Sequence, residues 1–287
     1  MPREFTDPYS YSGSDVLRNL PGIRDEGVLR DFEYEQTALR IAELRERPIP
    51  GAFDLAHLKA IHGHIFQDVY SWAGQLRTVS ISKNGDPFAQ PAFIESAARP
   101  IGKGIAAENN LQGLEKSQFV DRLAHYYGEF NALHPFREGN GRATRELIGQ
   151  LAREAGYELD QTRIDNGKEQ WNAAARASFR GDQGPIVSIF TEAVRPARAI
   201  AFEKLPETEA CAKHRELRPL YDGLSAIEDL ARATLAGDPA RVAMYMHHVR
   251  GEVLKRLDHG QTPERAFSRD PGPEQARKPY PELDLGR

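Results

Sequence analysis

Cysteine is almost absent from this chain of 287 residues. The lone Cys211 can close no disulfide within the chain and can build no thiolate zinc site, which removes disulfide scaffolds and zinc fingers. It reads as a buried or inert thiol. Long hydrophobic runs are also missing. No apolar stretch approaches the ~18 residues that span a bilayer, and the opening Met-Pro-Arg-Glu-Phe-Thr-Asp lacks the basic-then-apolar order of a signal peptide. The expectation is a soluble chain with no membrane partner. The third absence is a surplus of positive charge: 38 Lys+Arg face 42 Asp+Glu, a net charge of −4. Duplex binding needs a Lys/Arg surplus clustered on one face, so direct nucleic acid binding is not expected. A local basic pocket for a small phosphorylated ligand stays open. Neither an internal repeat nor a low-complexity array is present.

What remains is a chain with 40% hydrophobic residues, long enough to bury a core in one large or two modest domains. Residues 1–27 carry turn signals at Ser12-Gly13 and Pro21-Gly22 and read as an irregular arm. From Val28, apolar residues recur at helical spacing until Pro48 and Pro50. A second helix starts near Asp54, a plausible N-cap. Its His57, His62 and His64 lie five and two apart rather than the three or four that suit a metal on one helix, and read as structural. Thr78–Ser82 alternate polar and apolar before the turn Lys83-Asn84-Gly85-Asp86, which predicts a hairpin over 78–90. Phe119, Leu123, Tyr126, Phe130 and Leu133 form the stripe of another helix over 117–133. The fold class is therefore all-α with one small β-hairpin. The texture changes at Lys204-Leu205-Pro206, dividing the chain into 1–204 and a helical extension 205–287, with helices expected near 217–235 and 241–257. The last ~25 residues, with five prolines, read as extended or disordered.

The chemistry concentrates in His134-Pro135-Phe136-Arg137-Glu138-Gly139-Asn140-Gly141-Arg142-Ala143-Thr144-Arg145. A glycine-punctuated loop delivers its end to a helix N-terminus, where free N–H groups and the positive end of the helix dipole favour an anion. Gly139 and Gly141 allow close approach of a phosphate. Arg142 and Arg145, three apart, share one face of the first turn and can grip phosphate oxygens. A bare phosphate would repel Glu138, so a bridging cation is expected, and Mg²⁺ suits one carboxylate shared with phosphates and water. His134 supplies a group that titrates near neutrality and can take a proton from a hydroxyl. The kit fits phosphoryl or nucleotidyl transfer.

This segment matches the signature of the Fic family, His-Pro-Phe-x-(Asp/Glu)-Gly-Asn-Gly-Arg-x-x-Arg, at every defined position. The resemblance continues through an N-terminal arm, Tyr9–Asp25, and through Phe66–Gly74 with Arg77, and covers about 190 residues before fading near 200. It implies a helical fold that transfers AMP from ATP to a Ser, Thr or Tyr hydroxyl of another protein, releasing pyrophosphate. His134 would then be the general base and Glu138 the Mg²⁺ ligand. Gly139, Asn140 and Gly141 would form the anion cradle, with Asn140 near the α-phosphate, and Arg142 and Arg145 would hold the β- and γ-phosphates. The hairpin resembles the flap that clamps a target segment by strand pairing, with Lys83, Asn84 and Phe88 as its candidates. Asn172 falls where the family has part of its adenosine pocket.

The resemblance also frames regulation. Relatives with an in-chain inhibitory helix carry Ser/Thr-x-x-x-Glu-Gly/Asn, its glutamate pairing with the residue matching Arg145. Here the residues four before Glu26-Gly27, Glu108-Asn109 and Glu138-Gly139 are Gly22, Gly104 and His134, so none fits. The expectation is a separate small inhibitory antitoxin. The target could be a topoisomerase or a GTPase, and the chain cytoplasmic or translocated into a target cell as an effector. Two alternatives stay open: another phosphate-group transfer (kinase, UMP or phosphocholine), or a non-catalytic interaction module.

Overall fold

The computed structural model describes residues 7–267 apart from 84 and 236–237. Contact density divides the chain into two units, Met1–Val194 and Arg195–Arg287. Helix Ala197–Lys204, which the reading from composition kept with the first part, thus groups with the second.

In the first unit the arm 7–25 is irregular, with one antiparallel bridge between Ser10 and Leu17. Helix α1 (Glu26–Glu46) starts at Asp25, whose side chain accepts the Val28 N–H at 2.9 Å. Helix α2 (Leu55–Phe66) starts at Asp54 in the same way, accepting from His57 N–H at 2.9 Å. Such caps satisfy N–H groups that have no partner within the helix. Helices α3 (Ile94–Ala107) and α4 (Lys116–Leu133) follow. The stripe Phe119, Leu123, Tyr126, Phe130 and Leu133 is buried as its spacing predicts. Helix α5 (Asn140–Glu154) lies deepest, packed on α2 and α4. Even its Glu146 is buried, held by Arg45 at 2.7 Å. Helices α6 (Gln161–Asn166), α7 (Lys168–Phe179) and α8 (Gly184–Ala193) complete the unit.

The hairpin forms, but with strands of two residues each, β1 (Ser82–Lys83) and β2 (Asp86–Pro87), pairing Ser82 with Pro87 and Lys83 with Asp86. The reason lies in Arg77. Its guanidinium is buried and donates to the carbonyls of Val79 and Ala89, so a side chain takes acceptors that a longer ladder would have used. The expectation of a single hairpin also needs correction. Tyr157–Leu159 makes a second two-stranded sheet with the segment beginning at Val194, and Asp160 N–H donates to the Ala193 carbonyl at 2.8 Å.

The second unit has its own core, in which Phe202, Leu217, Leu220 and Leu257 are buried together with Cys211. It is built from α9 (Ala197–Lys204), α10 (Glu207–Lys213), α11 (Arg218–Thr234), α12 (Pro239–Asp258) and α13 (Pro263–Phe267). Arg195 ties it together, pairing with Glu203 and Asp258, both at 2.9 Å. The short α13 occupies the start of the stretch read as extended or disordered. The remainder of that stretch, 268–287, lies outside the described residues. Among the described residues no helix is long and apolar enough to cross a membrane.

Candidate active site

The loop from His134 to Gly139 joins α4 to α5 and is held from several sides. Asn140 is buried and clasps Phe136 reciprocally: its Oδ1 accepts the Phe136 N–H and its Nδ2 donates to the Phe136 carbonyl, both at 2.8 Å. Both ends of this carboxamide are thereby used in shaping the loop. Phe136 stacks on His62 with centroids 3.8 Å apart, and Phe66 covers the other part of the stack at 4.6 Å. His62 Nδ1 accepts the Gly74 N–H at 2.9 Å, so its proton sits on Nε2 and is donated to the Glu138 carbonyl at 3.0 Å. Burial lowers the His62 pKa to about 4, against the opposing pull of that carbonyl. Gly139 has φ +79°, and a Cβ there would lie 2.1 Å from Phe66 Cζ. A side chain is excluded both by the backbone and by the ring.

His134 ends α4 in the left-handed region, φ 43°. Its Nδ1 lies 3.2 Å from the Asn131 carbonyl, an acceptor, so Nδ1 carries the proton and Nε2 keeps its lone pair. Burial lowers the His134 pKa to about 4; the Asn131 carbonyl opposes this, and the charges of Lys83 and Arg77 add to it. The sequence-based expectation of titration near neutrality is thus replaced by a histidine that is neutral across the ordinary pH range, ready to accept a proton. Phe88 from the hairpin stacks on its ring, centroids 3.7 Å apart and planes 10° apart. Arg77 fixes the same corner from behind, donating to the His134 carbonyl at 2.8 Å. Arg77 was legible only as part of a resembling stretch; the role of its guanidinium in joining hairpin base to loop is visible only in three dimensions.

The two arginines diverge. Arg142 turns toward α1, where it donates to Glu33 at 2.5 Å and Thr37 at 3.1 Å, with its guanidinium 4.7 Å above the Phe66 ring. Glu33 also accepts from the Tyr70 hydroxyl. Arg145 pairs instead with the more exposed Asp165 of α6 at 2.6 Å. Glu138 is half exposed, its Oε1 accepting the Gly139 N–H at 2.9 Å and lying 3.7 Å from Arg142. Among the described residues no group of three or more His, Cys, Asp or Glu side chains could hold a metal alone. A solitary half-exposed carboxylate does fit a cation that takes its other ligands from phosphates and water.

A cavity of about 110 Å³ opens beside His134. It brings together Lys83, Phe88, His134, Gly141 and Asn172, with Trp171 in its wall. Space beyond Gly141 is open. Glu138, Asn140, Arg142 and Arg145 do not line it, and Asn84 lies outside the described residues. Trp171 is a packed residue, edge-on to Tyr127 at 4.9 Å. Asp86 anchors the hairpin to Arg180, the residue that caps the C-terminus of α7, at 3.0 Å, a contact 94 residues apart that no local pattern announces.

The Fic/DOC family profile matches residues 52–152. The chain is 43% identical over 194 residues to the "Probable protein adenylyltransferase Fic" of Escherichia coli K12, covering 68% of this chain and 95% of that one. It is 45% identical over 176 residues to the protein adenylyltransferase VbhT of Bartonella schoenbuchensis, covering 61% of this chain and 36% of VbhT. Among solved structures, the N-terminal Fic domain of a VirB-translocated Bep effector protein from Bartonella quintana, with bound ADP, superposes with a TM-score of 0.60 at 29% identity, covering 66% and 94% of the two chains.

Proposed function

The chain belongs to the Fic/DOC family, and from that premise we propose that it is a protein adenylyltransferase that moves AMP from ATP onto a hydroxyl of a target protein. The observation that carries the reading is His134: neutral, with Nδ1–H held by a backbone carbonyl and Nε2 unprotonated, at the mouth of the cavity that Gly141 borders. In the reaction the hydroxyl oxygen forms a bond to the α-phosphorus as the bond from that phosphorus to the α,β-bridging oxygen breaks. The hydroxyl proton passes to His134 Nε2 and pyrophosphate leaves. The N–H groups opening α5 at Gly139, Asn140 and Gly141 stabilise the charge that builds on phosphate oxygens, that of Gly139 exchanging Glu138 Oε1 for phosphate. Asn140 acts through its grip on Phe136, which keeps those N–H groups aimed. Arg145 exchanges the exposed Asp165 for phosphate oxygens, and Arg142, steadied by Glu33 and Thr37, sets the positive potential beside it. Glu138 would hold Mg²⁺, which when bound neutralises phosphate charge. Asn172 and the α7 wall take the adenosine.

The target segment pairs with the hairpin edge at Lys83 and Phe88, bringing its hydroxyl over His134. Target identity, among them a topoisomerase or a GTPase, and control by a separate small antitoxin belong to this proposal, as does action inside the producing cell or in a cell that receives the protein as an effector. ATP labelled separately at the α- and γ-phosphates and incubated with bacterial or host lysate tests the activity. Label is expected on protein from the α-position only; label retained from the γ-position alone would indicate phosphoryl transfer instead and refute AMP transfer.

A further inference from the structure

Arg77 is a buried cation, 2% exposed, and no carboxylate pairs with it among the described residues. A buried charge is ordinarily met by an opposite one. Here main-chain carbonyls take that place. Nε donates to the His134 carbonyl at 2.8 Å, Nη1 to that of Val79 at 2.8 Å, and Nη2 to that of Ala89. The Arg77 N–H donates to the Pro135 carbonyl at 2.9 Å. One residue thereby holds two carbonyls of the catalytic loop and two that flank the hairpin strands.

We infer that Arg77 is the positioning residue for His134: it makes the hairpin and the base one body, so that a hydroxyl presented at the hairpin edge and the His134 Nε2 keep a fixed separation. The inference rests on the transferase reading for its chemistry, though not for its geometry. Closing the hairpin base needs only the bonds to Val79 and Ala89. The remaining donors go to His134 and Pro135, the two residues that open the loop. His134 has φ 43°, a region that a residue other than glycine keeps only where its surroundings hold it.

The contacts form a closed path. Arg77 fixes the His134 carbonyl, and Phe88 fixes the ring of the same residue by stacking at 3.7 Å. Phe88 precedes Ala89, whose carbonyl returns to the Arg77 guanidinium and whose N–H donates to the Ala132 carbonyl of α4 at 3.4 Å. A displacement of the hairpin therefore carries the base with it. Proton transfer requires the hydroxyl within hydrogen-bond reach of the imidazole, and misplacement by about 1 Å costs on the order of 10²-fold in rate. A lysine keeps the charge, but its compact ammonium lacks the planar fork that reaches three carbonyls at once.

Arg77→Lys tests this by activity and, independently, by the state of the His134 ring. With saturating ATP labelled at the α-phosphate and bacterial lysate as acceptor, the variant is expected to transfer label on the order of 10²-fold more slowly, with ATP affinity at the parental value by calorimetry. In a His134→Ala background the same substitution should cost about twofold or less, because the base it positions is gone. A residue that only supported the fold would cost the same in both backgrounds. Nitrogen-15 spectra of histidine-labelled protein at about pH 7.5 supply the second readout. The parental His134 should show the Nδ1–H tautomer alone, and Arg77→Lys should show exchange between the two tautomers. Should Arg77→Lys fail to fold, Phe88→Leu, at a half-buried residue on the same path, is expected to give the same loss and the same exchange. Mixed tautomers in the parent, an unchanged rate or tautomer in a folded variant, or an equal loss in the His134→Ala background would overturn the inference. A parental chain that transfers no α-label refutes the transferase reading instead, and the spectra then decide the positioning of His134 by themselves.

Discussion

At the scale of single residues, the decisive fact is that His134 is neutral because it is buried, not because the solution is near its ordinary pKa. His134→Ala should cut AMP transfer by about 10²–10⁴-fold while leaving ATP binding intact, measured as labelled protein and as nucleotide affinity. The acid limb of the parental pH–rate profile should fall near pH 4 rather than 6.5, leaving activity flat between about 5.5 and 8. The same burial has a stability consequence. His134 and His62 both titrate at about 4 when folded, and near 6.5 when unfolded. Between those values the unfolded chain binds more protons, so stability rises with pH through that window. It is lost as pH falls from 6.5 toward 4, on the order of 3 kcal/mol per histidine. Denaturant midpoints at pH 7 and pH 5 measure it; equal midpoints would contradict neutral burial. None of this is written in the sequence, where a histidine before a proline carries no mark of what will cover it.

At the scale of elements, the α4–loop–α5 unit was legible because its functional residues are contiguous and its glycines have local reasons. The two glycines differ, however, in a way their spacing hides. Gly139→Ala forces a Cβ into Phe66 at a positive φ and should lower stability by about 2–4 kcal/mol. Gly141→Ala meets open space, so it should melt like the parent and lose activity only through crowding of the phosphate approach. Thermal melts paired with transfer assays separate the two effects, and equal melting losses would show that the loop is not held as described. The hairpin was foreseen from alternation and an Asn-Gly turn, but its strands came out short because Arg77 intercepts their carbonyls. The arginines' partners were equally hidden: Glu33 lies 109 residues before Arg142 and Asp165 lies 20 after Arg145, outside any helical repeat.

At the scale of the whole molecule, the first unit carries every candidate residue of the transfer reaction, and a relative that 194 residues of this chain match over 95% of its length bears the adenylyltransferase name. A chain ending at Val194 should therefore fold and transfer AMP at a rate within a few-fold of the parent. Circular dichroism and labelled ATP measure this, and an unfolded or inert product would tie the second unit to the first. Composition announced a change of texture near Pro206 but could not find the boundary, because α9 resembles the helices before it in sequence and differs only in the core it joins.

The burial of Cys211 in that second core acquires an experimental meaning once the tryptophans are considered. Trp72 and Trp171, both in the first unit, are the only two in the chain, and Cys211 is its only thiol. Indole fluorescence therefore watches one unit and thiol labelling the other. Unfolding of the two can be timed separately in a single unmodified sample.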